Sequence, residues 1–470
     1  MVGRIFKFLT FAILLLLVCA LASSCAEPWE QSEASETPDV AEPTSKSCKH
    51  TLGAYEYPDN ADCRSSCVAF AVCKLCGEKN YKNIERGPHV FGANDLCIYC
   101  GILDMKTGVE YREGDFIFIR RGENLCEAKL AEDAVLENVI FPSSYGGYGV
   151  AMISMANSDT VRRAVKHVFI PAGVETTAVY AFKNCTALET VSIEQDSKLG
   201  SVGYEAFAGC SSLKRIELEN CTALAKIGAR AFADCTSLEE IALPDSVKMI
   251  EERAFTGCSS LNKINLQSEY VSLGVGVFLD CVSLSNVNFL NKVDTIPGSA
   301  FSGCTGLGRI RIPDNVKYIE DYAFEKSGIV EVALSHSLLS LGNMAFFECK
   351  SLERIEIYDG ISVIRTSTFS GCKSLREIVL PSTLEQISAY AFSDCTSLES
   401  IVIPESVSSI AANAFYLDHA LCEAIFERTD RWESGGAAIE EATIADPTLA
   451  AALLKEGYTG DALWRDPSTN

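Results

Sequence analysis

The sequence has little positive charge for its size. Its 470 residues include 40 Lys and Arg against 63 Asp and Glu, a net charge of −23, and the pI is about 4.7. An acidic surface repels phosphate groups, so this composition argues against nucleic acid as a partner and against electrostatic attraction to anionic lipid. The acidity keeps an extended chain soluble, but by itself it identifies no ligand.

Catalytic motifs are also missing. The sequence contains no G-x-S-x-G, no P-loop and no H-E-x-x-H, which are the spacings that position a nucleophile, a phosphate or a catalytic zinc. Three of its five histidines, His167, His336 and His419, stand singly, and we expect them on the surface or at an edge. We therefore assign no catalytic residue and predict that the chain is not an enzyme.

The N-terminal apolar run is too short to span a bilayer comfortably, which takes about 20 residues. Residues 8–22 follow Arg4 and Lys7, and we interpret residues 1–24 as a signal peptide. Small residues directly before Cys25 resemble the lipobox of bacterial lipoproteins, and this resemblance implies that Cys25 becomes the lipidated first residue. Ala22 stands where the lipobox prefers a larger aliphatic residue. The alternative is ordinary secretory cleavage near Ser24.

An acidic segment follows at residues 25–47. Residues 26–46 include six acidic residues, three prolines and several serines and threonines. Such a composition buries too little apolar surface to offset chain entropy, so we expect a disordered tether. A lipid at Cys25 would then anchor the protein to the membrane, with no other membrane contact.

A cysteine-rich module is predicted at residues 48–101. Cys73 and Cys76 form one C-x-x-C-G motif, and Cys97 and Cys100 form a second, with twenty residues between the two. This arrangement resembles a zinc ribbon and predicts one structural zinc on these four thiolates, with no open position for chemistry. The alternatives are a disulfide-stapled module or, less favoured, a zinc-dependent enzyme. Further possible ligands are Cys48, His50, Cys63, Cys67 and His89.

An internal repeat dominates the remainder of the chain. An aromatic anchor recurs every 22 to 25 residues, preceded in nine of eleven copies by alanine. The anchors are Phe182, Phe207, Phe232, Phe255, Phe278, Phe301, Phe324, Phe346, Phe369, Phe392 and Phe415. Three residues after the anchor stands cysteine, except at Ser327 and Asp418.

The repeat unit reads A-F-x-x-C-x-x-L-x-x-I-x-L-P-x-x-V-x-x-I. Its I-x-L segment alternates with period two and predicts a strand, which the following proline ends. The V-x-x-I segment predicts a second short strand, and A-F-x-x-C suggests one helical turn. No unit can bury its apolar residues alone, so neighbouring units must stack into a solenoid. Stacked cysteines would have parallel Cβ vectors, which suit disulfide geometry poorly, so we expect buried free thiols.

The repeat resembles the 23-residue type of the BspA-like leucine-rich repeat family of bacterial surface proteins. Residues 231–244, AFADCTSLEEIALP, follow the family pattern closely. The resemblance covers residues 168–426, with degenerate first repeats and a cap at 102–167. It implies export, a location at the bacterial cell surface or outer membrane, and adhesion to host proteins or other cells.

The period stops after Phe426, and we interpret residues 427–470 as a C-terminal cap. Asp446 and Pro447 predict the start of a helix that Gly457 can end. Its predicted apolar side consists of Leu449, Leu453 and Leu454, with Tyr458 and Trp464.

The predicted fold class is therefore mainly β: a right-handed, leucine-rich-repeat-type solenoid with short helical turns, capped at both ends. We interpret the chain as a lipid-anchored protein that binds a protein ligand, on host matrix or another cell surface, through its strand face. A structural envelope-layer protein is the alternative. The sequence does not identify the ligand-binding residues. The outward positions of the strand face include Arg215, Glu217, Glu240, Lys263, Arg309, Arg354, Glu356 and Glu377.

Overall fold

The structure, a computed structural model, describes residues 67–72, 79–84, 103, 105–266, 268, 270–287, 293–430, 432–434, 437–456 and 464–465. The chain divides into two units, residues 1–86 and residues 87–470. In the first unit, strands Cys67–Val72 and Lys79–Ile84 pair antiparallel. Among the residues described, no helix has the length and apolar content needed to cross a membrane.

The second unit is a β-solenoid of about 13 turns, as the repeat predicted. Its coils contribute parallel strands to two ladders, in which most strands pair with their equivalents in adjacent coils and each ladder is interrupted at a few coils. The I-x-L segments form the main ladder: Asn138–Ile140, His167–Ile170, Thr190–Ile193, Arg215–Ile216, Glu240–Leu243, Lys263–Leu266, Arg309–Arg311, Glu331–Ala333, Arg354–Glu356, Glu377–Val379, Ser400–Ile403 and Glu423–Phe426. The V-x-x-I segments form the second ladder: Tyr148–Ser154, Thr176–Thr177, Ser201–Val202, Lys226–Ile227, Met249–Ile250, Ser272–Leu273, Thr295–Ile296, Tyr318–Ile319, Ser340–Leu341, Val363–Ile364, Gln386–Ile387 and Ser409–Ile410.

The phenylalanine anchors form one continuous stack through the solenoid. All eleven are fully buried, and their ring centroids lie between 4.9 Å, for Phe182–Phe207, and 5.7 Å, for Phe255–Phe278. Phe141 ends the stack edge-on, 6.1 Å from Phe182. Burial of large aromatic surfaces at each step makes this stack a principal source of stability.

The A-F-x-x-C segment is not the helical turn that we predicted. Around Phe182 the chain forms consecutive tight turns, and Tyr180 and Asn184 both have φ of 60°. The backbone N–H groups of these three residues donate to carbonyl groups of the next coil, at 2.6–3.0 Å. A helix would direct the same donors to its own preceding turn, so stacking of the coils replaces the helical pattern. The residues two before and two after every other anchor likewise have positive φ.

Additional strands extend the N-terminal end. Glu110–Glu113, Phe116–Arg120 and Leu125–Leu130 form an antiparallel meander that joins the second ladder through Tyr148–Ser154. A short strand, Ser144–Tyr145, pairs beside it. The helix Asp159–Ala164, which sequence analysis did not predict, follows.

A helix over Pro447–Glu456 packs on the last main-ladder strand. It starts where predicted, because Asp446 Oδ1 accepts hydrogen bonds from the N–H groups of Thr448 and Leu449. Its buried side is partly different: Ala450 and Ala451 are fully buried, whereas Leu449 is exposed. The remaining C-terminal elements are one helix, Glu441–Ala445, and three short strands, Glu433–Ser434, Ala437–Ala438 and Trp464–Arg465.

Candidate binding surface

The residues predicted to carry lipid and zinc lie outside the described part of the chain. Cys25, Cys73, Cys76, Cys97 and Cys100 all lie outside the described residues. Within the part of the chain that is described, no group of three or more His, Cys, Asp or Glu side chains is arranged to hold a metal. The described strands Cys67–Val72 and Lys79–Ile84 end and begin on either side of the first C-x-x-C-G motif.

The single histidines are on the surface, as predicted. His167 hydrogen-bonds to Thr190 Oγ1 at 2.8 Å, across adjacent coils. His336 Nδ1 lies 3.1 Å from Asp314 Oδ1, and the His336 ring stacks on Tyr358. These contacts connect neighbouring coils and give each ring a structural partner.

We call the outward side of the main ladder the strand face. In each strand the hydrophobic second position points inward, as Ile241 and Ile355 do, while the first and third positions face solvent. All eight outward residues predicted from the sequence lie on this face. Six of them are exposed, and Glu217 and Glu356 are half-buried.

Cross-strand ion pairs order part of the strand face. Arg309 Nε lies 3.4 Å from Glu331, and an Arg354 guanidinium nitrogen lies 3.3 Å from Glu377. Glu331 and Arg354 are also register partners on adjacent strands. Because these side chains are mostly exposed, each pair contributes only about 0.2–1 kcal/mol to stability. Their charges therefore remain available to a partner.

A cleft of about 450 Å³ interrupts the strand face. The strand Arg215–Ile216 stops after two residues and the chain enters a 3-10 turn, Leu218–Asn220, so its ladder does not continue to Glu240–Leu243. The cleft is lined by Lys214, Arg215, Ile216, Glu219, Glu239, Glu240, Ala242 and Asn262. Sequence analysis missed this cleft. The sequence feature that could have indicated the cleft is the 25-residue length of this repeat, two residues above the common length.

The cysteine column is structural. All described column cysteines are free and buried, and the thiol of Cys258, for example, donates to the carbonyl oxygen of Phe232 in the preceding coil at 3.1 Å. Burial raises the pKa of Cys258 to about 12. A thiol with so high a pKa is a poor nucleophile and metal ligand, so the column offers no reactive site.

The repeat sequence matches the family described as BspA type leucine-rich repeat region, in six copies, over residues 175–308, 225–352 and 296–422. The matches together span more than half of the chain. The chain belongs to the BspA-type leucine-rich repeat family. Its solenoid is therefore a leucine-rich repeat scaffold, and the matched residues include all eleven anchors.

Solved leucine-rich repeat structures are similar to this chain. One from Bacteroides ovatus has a TM-score of 0.47 and 25% identity, covering 67% of this chain and 88% of its own. A leucine-rich cell surface protein from Faecalibacterium prausnitzii has a TM-score of 0.41 and 23% identity, covering 69% and 96%. The pneumococcal vaccine antigen PcpA has a TM-score of 0.39 and 16% identity, covering 70% and 84%. No protein of curated function matches the chain.

Proposed function

We propose that this chain is an exported, lipid-anchored surface protein whose strand face binds a protein on host matrix or on another cell. The observation that carries this proposal is the strand face itself. Main-ladder strands repeat at fixed register, and their outward side chains stand in two columns in contact with solvent. A rigid array of this kind binds without much loss of conformational freedom on association.

The charges of the strand face support a protein ligand. Arg309 and Arg354 alternate with Glu331 and Glu377 along four strands, and such alternation favours partners with complementary charges. The overall charge of −23 disfavours nucleic acid.

The binding proposal is tested with purified host extracellular-matrix proteins and intact cells as probes. We expect Arg309→Glu together with Arg354→Glu to reduce binding by at least about tenfold. Lys248→Glu together with Lys317→Glu is the matched control, because both lysines are exposed beside the second ladder and the pair makes the same charge change. Equal binding by both variants and the native protein would argue against the strand face.

The anchor is tested separately, by mass spectrometry of the membrane fraction. The small residues before Cys25 support a diacylated Cys25 at the mature N-terminus. Cys25→Ser should release the protein from the membrane without affecting its binding to purified ligand. An unmodified N-terminus on soluble protein would contradict the anchor.

We also propose one structural zinc on Cys73, Cys76, Cys97 and Cys100. The paired C-x-x-C-G spacing supports it, and the two antiparallel strands that flank the first motif are compatible with a ribbon. Elemental analysis of protein purified without chelator should give about one zinc per chain. Metal-free protein with these four cysteines in disulfides would contradict the assignment.

A further inference from the structure

Three aliphatic side chains stand exposed and adjacent at the C-terminal end of the strand face. Val379, Val402 and Ile425 occupy the third position of three successive main-ladder strands, and Val402 and Ile425 are register partners. Their exposed fractions are 41%, 45% and 45%. We call these three residues the aliphatic stripe.

The solenoid does not require aliphatic residues at this position. The third position points outward, and polar, charged or small residues occupy it in the coils between the N-terminal end and the stripe: Ser192, Glu217, Ala242, Arg311, Ala333 and Glu356. Large apolar residues occur there otherwise at Ile140 and Phe169, in the first two main-ladder strands. An apolar side chain that stays exposed at this position adds no burial free energy to the stability of the fold. Three in adjacent coils therefore indicate a surface that becomes buried against something else.

The stripe is bordered by carboxylates. Glu399 and Glu423 lie exposed on one side, and Glu405 and Glu427 lie exposed on the other. Among the described residues, neither Glu399 nor Glu423 has an ion-pair partner. Two arginines, Arg376 and Arg428, lie nearby. The four glutamates outnumber them, so the border is acidic and favours a partner that carries lysine or arginine beside its apolar residues.

The spacing of the strands is close to the pitch of a helix. Adjacent strands of a ladder lie about 4.8 Å apart, and Val402 and Ile425 are register partners on two such strands. A helix that runs along the solenoid presents one side chain per turn, at a pitch of about 5.4 Å. An extended segment repeats on one face only every 6.6 Å or so and loses register across three coils.

We propose that the aliphatic stripe is the docking site for a basic amphipathic helix of a partner protein. Aliphatic residues on successive helical turns contact Val379, Val402 and Ile425, while flanking lysines or arginines pair with the bordering glutamates. This deepens the proposed function and rests on the strand face being the binding surface. It adds the chemistry of the partner and the position of its contact.

The test uses three helical peptides of about 15 residues and the full chain, with binding followed by fluorescence anisotropy. The first peptide has leucines on successive turns flanked by lysines. In the second peptide glutamates replace the lysines, and in the third peptide alanines replace the leucines. We expect the first peptide to bind at least about tenfold more tightly than either of the others. We also expect its affinity to fall with salt.

Variants locate the contact. Val402→Lys should weaken binding of the first peptide at least about tenfold, whereas Ala333→Lys, at the same position two coils before the stripe, should change it less than about twofold. Val402→Ser provides a milder variant, and thermal unfolding checks that each variant folds. Equal effects of Val402→Lys and Ala333→Lys, or equal binding of the lysine and glutamate peptides, would overturn the proposal.

Two further outcomes separate a failure of the helix site from a failure of the proposed function, and a partner helix from a second copy of this chain. If no peptide binds while the matrix-protein assay still responds to Arg309→Glu and Arg354→Glu, the helix site is wrong and the proposed function stands. If sedimentation shows self-association that Val402→Lys abolishes, the occupant is a second copy and the proposal is overturned.

Discussion

The carboxylate of Asp418 accepts a hydrogen bond from the backbone N–H of Cys395, at 2.7 Å from Oδ1. Asp418 occupies the cysteine column in the last coil and is completely buried. Its Oδ2 atom has no hydrogen-bond partner among the described residues. Burial raises the pKa of Asp418 to about 8, so this carboxyl keeps its proton in the folded chain where an unfolded chain has already released it.

We predict that Asp418 makes stability fall as pH rises. Between about pH 4, its unfolded pKa, and about pH 8 the folded state holds a proton that the unfolded state has lost, so the contribution of Asp418 to the free energy of unfolding declines through this window and levels off above it. Asp418→Asn should remove that decline, with a gain on the order of a few kcal/mol at about pH 9. Denaturant unfolding at several pH values measures the effect. Asp133→Asn, at an exposed carboxylate paired with Arg112, should leave the decline in place.

We predict that the column cysteines are unreactive free thiols. Cys258 should react slowly with a thiol reagent in native protein, since it is buried and its pKa is raised to about 12. The exposed Cys422 provides an internal control that reacts at once. Denaturant alone should make the column accessible, and Cys258→Ser should be tolerated because Ser327 occupies the same column. Cysteines that remain blocked until a reductant is added would show that the column contains disulfides.

We predict that Phe255→Ala costs about 3–5 kcal/mol. Phe255 stacks on Phe232 at 5.4 Å and on Phe278 at 5.7 Å, so the substitution leaves a cavity at two coil interfaces. Unfolding should begin there and become less cooperative. Phe169→Ala, at a half-buried position of the strand face, should cost less. An unchanged unfolding midpoint for Phe255→Ala would refute the buried anchor.

We predict that Gly303→Ala destabilises more than Gly371→Ala. Both glycines have positive φ, 73° and 77°, a conformation that costs alanine about 1–2 kcal/mol. At Gly303 an added Cβ would also overlap the Asp280 carboxylate of the preceding coil, whereas at Gly371 it meets the flexible Glu348 side chain. The overlap should add about 1–3 kcal/mol. Asp280 also has positive φ, 59°, so glycine is the substitution that removes its carboxylate without adding this strain. In an Asp280→Gly background, Gly303→Ala should no longer show the excess, as urea midpoints would show.

The sequence alone determined the coil and its interior. Phe232, Cys235 and Ile241 are buried in the positions that the repeat predicted, because each must face inward in every coil and eleven copies carry the same signal. The start of the C-terminal helix was also predictable from the sequence, because Asp446 caps it through local hydrogen bonds and Pro447 fixes φ at its first residue.

Features that depend on contacts with the neighbouring coil could be seen only in the tertiary structure. The segment around Phe182 turns instead of forming a helical turn, because its N–H groups find acceptors in the next coil. The cleft at Arg215 and the exposure of Val402 likewise follow from how adjacent strands stack. Local sequence specifies which residues of a coil face inward. Contacts between coils, whose partners are more than twenty residues apart, specify its turns, its clefts and the composition of its outer surface.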